Sequence, residues 1–154
     1  MIEATMTMTM IQTFFRINND FVPIEEFSGT LPDKNYIEGA IVCSISGRDL
    51  FQLKHYDLID QLWAYIVDGL GKLRDGKEYD VFFPDQPLRL RLKLISPHCV
   101  EVSIGDETNK VDYSVFRSAL KNGALAFFAK MKEIYPDAKD TWRRYEMEAE
   151  MIPD

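Results

Sequence analysis

The sequence predicts an α+β domain, with a mostly antiparallel sheet of five to seven strands, two main helices on one face and a short C-terminal helix. Residues 79–104 alternate apolar and polar side chains through two turns, which is typical of antiparallel strands with one face on a core. Two longer segments instead repeat apolar residues at helical spacing. Short connections between consecutive strands favour antiparallel pairing. We expect residues 1–154 to form a single domain, because 154 residues suit one hydrophobic core.

The N-terminal part predicts two strands separated by a loop. Residues 4–17 are rich in Thr, Met, Ile and Phe without Gly or Pro, and the alternating Met6, Met8 and Met10 are expected to pack on the core. Residues 18–35 carry two prolines and a glycine, which indicates a loop with apolar anchors. The strand over 36–46 places these residues on one face: Ile37, Ile41, Cys43 and Ile45.

A short returning strand over 50–53 and then a helix over 57–73 follow. Asp57 is the predicted N-cap of this helix, since a carboxylate there can accept from the first free backbone N–H groups. Apolar residues recur at i, i+3, i+4 and i+7 along the segment. Trp63 lies on that apolar stripe, so we interpret it as a core residue.

Three strands are predicted next, over 78–83, 88–95 and 99–104. If Phe83 faces Leu88, the first hairpin places Asp80 opposite Arg91 and Glu78 opposite Lys93. If Ile95 faces Cys99, the second hairpin places Lys93 opposite Glu101 as well. The basic row of Arg89, Arg91 and Lys93 is therefore predicted to be a solvated ladder of cross-strand ion pairs. Arg89 alone is left without an acidic partner.

The C-terminal part predicts a strand over 109–111, a long helix over 114–135 and a final helix over 138–151. Gly123 and several alanines on the long helix indicate close packing against another element. Pro136 ends the long helix, because proline has no backbone N–H and a fixed φ angle. The final helix carries a narrow apolar stripe that includes Trp142 and Tyr145.

Composition excludes several classes of function. The net charge of −7 argues against a free nucleic-acid binder, because such proteins are usually basic. The two cysteines, Cys43 and Cys99, lack metal-ligand or disulfide-framework spacing, which favours free thiols in a reducing cytoplasm. The N-terminus lacks the basic region of a signal peptide, and no apolar run reaches the ~18 residues that would span a membrane.

No motif for catalysis, metal binding or cofactor binding is present in the sequence. His55 and His98 have no Cys, His or carboxylate at ligand spacing, and neighbours on a strand, such as His98 and Cys99, point to opposite faces. No Gly-rich phosphate loop or GxSxG turn occurs. We therefore expect a non-enzymatic protein without a cofactor or metal.

One resemblance bears on function. The run DLIDQLWAYIVDGLGKL followed by EYDVFFPDQPLRLRLKLI resembles small uncharacterised bacterial proteins, in which a Trp-containing helix precedes an FPDQP hairpin. Small acidic α+β proteins of this kind are similar in character to the immunity proteins of polymorphic toxin systems. The resemblance implies a protein partner, a basic toxin domain, which an acidic protein would neutralise by direct contact.

The charge pattern then suggests a partner-binding surface, and two other functions stay open. The candidate partner-binding residues are these: Glu25, Glu26, Trp142, Glu146, Glu148 and Glu150. The first alternative is a small-ligand binder or an enzyme with a dispersed site, such as His55 with an acid and a tyrosine. The second is a structural homodimer formed through the Met6, Met8 and Met10 row or through helix 138–151; the oligomeric state is open.

Overall fold

The computed structural model of the chain describes residues 8–154 and has two antiparallel sheets with three α-helices. The first sheet contains five strands: β1 Thr9–Ile17, β2 Asp20–Pro23, β3 Glu38–Ile45, β4 Arg48–Phe51 and β5 Asp57–Leu58. Helix α1 spans Ile59–Arg74. The second sheet contains four strands: β6 Tyr79–Phe82, β7 Arg89–Ser96, β8 Cys99–Ile104 and β9 Glu107–Asp112. Helices α2 Tyr113–Ile134 and α3 Lys139–Glu150 complete the chain.

This architecture confirms the α+β class, the antiparallel pairing and the short C-terminal helix. The strands are divided between two sheets, whereas a single sheet was expected. The strand order in the first sheet is β2-β1-β3-β4, and the short strand β5 pairs with the start of β3. The order in the second sheet is β6-β7-β8-β9. Strand β4 contacts β8 and β9, so the two sheets meet along that line.

Helices α1 and α2 join the two sheets into one core. Helix α1 contacts β3 and β5 of the first sheet and β6 and β7 of the second, while α2 contacts β1, β8 and β9. Helix α3 lies against α1 and α2. One buried cluster therefore includes side chains from both sheets, among them Phe15, Ile41, Leu92 and Val102.

Trp63 is a core residue, as its position on the apolar stripe predicts. It is fully buried, and its indole N–H donates to Thr13 Oγ1 at 3.2 Å. Gly123 of α2 passes close to it, since an added Cβ would lie 2.7 Å from Trp63 Cη2 and 2.9 Å from Ile11 Cδ1. The close packing expected at Gly123 is thus confirmed.

The hairpin register between β6, β7 and β8 agrees with the sequence prediction except at one end. Asp80 pairs with Arg91, and Lys93 pairs with Glu101. Near the second turn a register shift makes Ser96, not Ile95, the partner of Cys99. The predicted Ile95–Cys99 pair is therefore wrong, because a β-bulge inserts one extra residue there.

Two predictions in the N-terminal part need correction. Met8 and Met10 are 65% and 52% exposed, so they do not pack on the core, while Met6 lies outside the described residues. The opposite face of β1, with Thr13 and Phe15, is the buried one. The segment 18–35 also contains β2, because the Asn18–Asn19 turn, with φ angles of 52° and 70°, closes a hairpin.

Candidate functional site

The PDQP turn between β6 and β7 reaches across to the first sheet and frames a cleft. The cavity has a volume of about 340 Å³. We call it the tip cleft and define it by these lining residues: Glu38, Lys54, Tyr56, Asp57, Leu58, Asp85 and Gln86. It brings together the start of β3, the chain before α1 and the hairpin tip, three segments that are distant in sequence.

Gln86 anchors the tip to the first sheet. Its side-chain amide donates to Asp57 Oδ2 and to the Tyr56 carbonyl oxygen, both at 2.9 Å. Asp57 is only 4% exposed, and its other carboxylate oxygen accepts from the Leu58 backbone N–H at 2.6 Å. Both oxygens of this buried carboxylate are therefore satisfied, as a buried charge requires.

This geometry corrects the predicted role of Asp57. The residue belongs to β5, and the N-cap position of α1 is Leu58, which makes no side-chain cap. Asp57 faces Gly39 of β3. The pairing of β5 with β3 directs the Asp57 carboxylate toward Gln86 and not over the first turn of α1.

Two exposed tyrosines flank the tip cleft. Tyr36 Oη donates to Asp85 Oδ2 at 2.9 Å, and this hydrogen bond together with the Asp85 charge raises the pKa of Tyr36. Tyr56 lies beneath the guanidinium of Arg16, which is 4.2 Å from the ring centroid. Tyr36 and Tyr56 remain 49% and 37% exposed, so both present ring surface to solvent.

The charges around the cleft are predominantly negative. Glu38, Asp57 and Asp85 line it, and Lys54 is the only cation among the lining residues. Lys54 is engaged elsewhere, since its Nζ lies 3.1 Å from Glu107. Glu38 is paired with Arg16 at 3.1 Å and Asp57 is buried, so exposed Asp85 is the carboxylate that the cleft presents, beside two aromatic rings, to a positively charged or donor-rich group.

The acidic residues singled out in the sequence lie on two separate elements. Glu25 and Glu26 are exposed on a short 3-10 turn after β2, where Glu25 accepts from Gln12 Nε2 at 2.7 Å. In residues 8–154, no hydrogen bond or ion pair joins this turn to the acids of α3.

The three glutamates of α3 differ in their surroundings. Glu146 pairs with Lys132 at 2.8 Å, and Glu148 pairs with Arg144 at 3.2 Å. Glu150 is exposed at the end of the helix. Intramolecular partners thus neutralise two of the three charges, which lowers the attraction that this face offers to a basic protein.

Trp142 lines a second cavity, which we call the aromatic groove. The groove has a volume of about 510 Å³ between α1, α3 and the loop before β3. These residues define it: Lys34, Asn35, Asp60, Tyr135, Trp142 and Tyr145. The indole N–H of Trp142 is buried without an acceptor among the described residues. No residue among those described lines both the aromatic groove and the tip cleft.

The basic row on β7 is a ladder of ion pairs. Lys93 lies 3.4 Å from Glu78, and Arg91 lies 3.7 Å from Asp80. Arg89, to which the sequence assigns no acidic partner, forms two hydrogen bonds to Asp80 at 2.6 and 2.7 Å. Arg89 sits diagonally from Asp80 across the hairpin, and a long side chain can span that distance.

The histidines and cysteines do not form a reactive constellation. His55 Nδ1 accepts from the Gln52 backbone N–H at 3.0 Å, and burial lowers the pKa of His55. Cys43 and Cys99 are free thiols, and burial raises the pKa of Cys43 to about 12. Across residues 8–154, no three His, Cys, Asp or Glu side chains are placed to hold a metal ion.

Comparison of the chain with protein-family models, curated protein sequences and solved structures returns no match. Within the described part of the chain, no helix has both the length and the apolar character needed to cross a membrane.

Sequence reasoning missed the residues that build the tip cleft, above all Tyr36, Glu38 and Tyr56. The available signal was Gln86, an uncharged amide held between two prolines at a hairpin tip. Its partners are 29 and 30 residues away in the sequence, so local patterns could not identify them.

Proposed function

We propose that the protein is a non-enzymatic cytoplasmic binding domain that recognises a basic protein partner through the tip cleft. The observation that carries this proposal is the pair of exposed tyrosines, Tyr36 and Tyr56, beside a carboxylate-lined cleft. Tyrosine is enriched at binding hot spots because it offers a large amphipathic surface at low entropic cost.

The charge distribution supports the same kind of partner. Exposed Asp85 lies at the cleft, and the whole chain carries a net charge of −7. Complementary charge accelerates encounter with a basic surface and disfavours acidic competitors. A basic toxin domain has this chemistry, and the protein would then serve as its immunity protein.

The test uses a tagged protein and a double variant, Tyr36→Ala with Tyr56→Ala. The wild type should retain a basic partner from its native host, and raised salt should weaken the complex because the attraction is electrostatic. The double variant should bind about 10- to 100-fold more weakly, as the loss of hot-spot side chains does elsewhere. Phe82→Ala, which removes a 61% exposed ring on the outer face of the second sheet, is the matched control.

A survival assay connects binding to immunity. Cells that express the partner retained by the tagged protein should grow with the wild type and the Phe82→Ala control, but not with the double variant. If the wild type retains no protein, or if the double variant binds and protects as well as the wild type does, the proposal is wrong.

The exposed methionines favour homodimer formation as a second candidate. Met8 and Met10 present apolar side chains from β1 to solvent. Light scattering should then show a dimer that Met8→Lys with Met10→Lys converts to a monomer. A wild-type monomer at high concentration would remove this candidate.

A further inference from the structure

The aromatic groove contains a carboxylate without a cationic partner. Asp60 lies in the first turn of α1 and forms no ion pair with any residue from 8 to 154. Lys34 also lines the groove, but it is exposed and is not paired with Asp60. Asp60 is therefore a carboxylate with which an external cationic group can pair.

The surroundings of Asp60 make this charge costly in the free protein. Burial raises the pKa of Asp60, and only the backbone N–H groups of Gln61 and of Asp60 itself act in the opposite direction. A partly buried carboxylate without a counter-charge is destabilising, and such groups concentrate at functional sites.

The walls of the groove suit an organic cation. Trp142, Tyr135 and Tyr145 line it, and aromatic rings beside a carboxylate are the usual recognition elements for ammonium and guanidinium groups. Two of the rings are held in place by other contacts. Tyr145 stacks on Phe128 with centroids 6.0 Å apart and has the Arg144 guanidinium 5.4 Å from its ring centroid. Tyr135 Oη accepts from the Leu31 backbone N–H at 3.2 Å.

We propose that the aromatic groove binds an organic cation whose ammonium or guanidinium head pairs with Asp60 among the rings of Trp142, Tyr135 and Tyr145. The volume of about 510 Å³ lies in the range of small-ligand sites. The cation is a lysine or arginine side chain of a bound protein, or a free amine of the same chemistry. This proposal goes beyond the proposed function, because it requires no residue that lines the tip cleft.

The test is an NMR titration that follows the two indole N–H signals of the full chain. The probes are Nα-acetyl-arginine amide, Nα-acetyl-lysine amide and ethanolamine. Each binding probe should shift the Trp142 signal saturably and leave the signal of buried Trp63 unchanged; Trp142→Phe assigns the two signals. Binding of the capped amino acids identifies a protein side chain as the source, and binding of ethanolamine alone identifies a free amine.

Two variants distinguish the effect of the Asp60 charge on binding from an effect on folding. Asp60→Asn keeps the shape of the side chain and should weaken binding at least about tenfold, since a hydrogen bond to a charged group is lost. The same variant should melt at a higher temperature than the wild type at neutral pH, because the uncompensated charge is gone. Lys34→Gln, on the rim of the groove, should bind at least as tightly as the wild type.

Three results would overturn the inference. These are the absence of a saturable shift with every probe at millimolar concentrations, unchanged binding by Asp60→Asn, and a shift confined to Trp63. None of these three results bears on the proposed function, which is tested separately by the loss of the protein partner in the Tyr36→Ala with Tyr56→Ala variant. Conversely, probe binding without any protein partner supports the groove alone.

Discussion

The substitution Gln86→Glu tests whether the tip cleft is built as the hydrogen bonds indicate. In the wild type, the Gln86 amide donates to Asp57 and to the Tyr56 carbonyl oxygen. A glutamate of the same shape can donate to neither acceptor at neutral pH. It also brings a second negative charge toward the buried Asp57 carboxylate, so we expect the variant to be less stable.

The size of the effect follows from these contacts. The hydrogen bond to the carbonyl contributes about 1 kcal/mol, and the hydrogen bond to the carboxylate about 1.5–3 kcal/mol. Two like charges 4 Å apart repel by up to about 4 kcal/mol near a protein surface. Because Gln86 is only half-buried, the new side chain can turn toward solvent and avoid part of this repulsion. We expect Gln86→Met, which removes only the hydrogen bonds, to lower the free energy of unfolding by about 2.5–4 kcal/mol. The repulsion that remains should make Gln86→Glu about 1–2 kcal/mol less stable than Gln86→Met.

Urea unfolding followed by circular dichroism measures both variants at neutral pH and at about pH 5. A proton bound by the carboxylate pair removes one of the two like charges, so the excess destabilisation of Gln86→Glu over Gln86→Met is largest at neutral pH and shrinks as the pH falls. Equal stability of the two variants at neutral pH, or a difference that does not change with pH, would refute this account of the tip.

Three further predictions concern the core and its titrating groups. Gly123→Ala should lower the free energy of unfolding, measured in urea, by about 1–2 kcal/mol. The added methyl group would clash with Trp63, and this cost outweighs a gain of ~1 kcal/mol in helix propensity. A variant as stable as the wild type would contradict this close packing. A thiol reagent should label half-buried Cys99 before buried Cys43 in the folded protein, whereas denaturant should equalise the two rates. Burial lowers the pKa of His55, so the unfolded chain binds a proton at this histidine more readily than the folded protein does. The folded protein should therefore lose stability as the pH falls below about 6.5. In thermal melts, His55→Gln should lose less stability over that pH range than the wild type does.

Local patterns were sufficient to predict the hairpins of the second sheet. Alternation of apolar residues and two short turns define the pairs Asp80–Arg91 and Lys93–Glu101, and the structure has both. The bulge beside Ile95 was not predictable, because an inserted residue leaves the apolar pattern on either side unchanged.

The division into two sheets depends on contacts that no local pattern contains. Strand β5 is two residues long and is defined only by its pairing with β3, about twenty residues earlier in the chain. The exposed face of β1 was misassigned for a related reason. Methionine and threonine alternate over Met6–Met10 without a strong contrast, and the deciding residues, Thr13 and Phe15, lie further along the strand.

The candidate site was less predictable than the fold. Charge alone pointed to the glutamates of α3, but two of them have intramolecular partners. The sequence points to Trp142, which does line a cavity, but no local pattern links it to Asp60 in the same lining. A site assembled from several distant segments becomes visible only when their side chains are placed in space.

The docking of the PDQP turn also has a consequence for the order of folding. The β6–β7 hairpin closes over a short stretch of chain, whereas its tip is held by Tyr36, 49 residues before Asp85, and by Tyr56 and Asp57. Closing the longer loops costs more chain entropy, and contacts of large sequence separation form more slowly than local ones. The hairpin can therefore form early, while the attachment of its tip belongs to the late steps in which the two sheets come together.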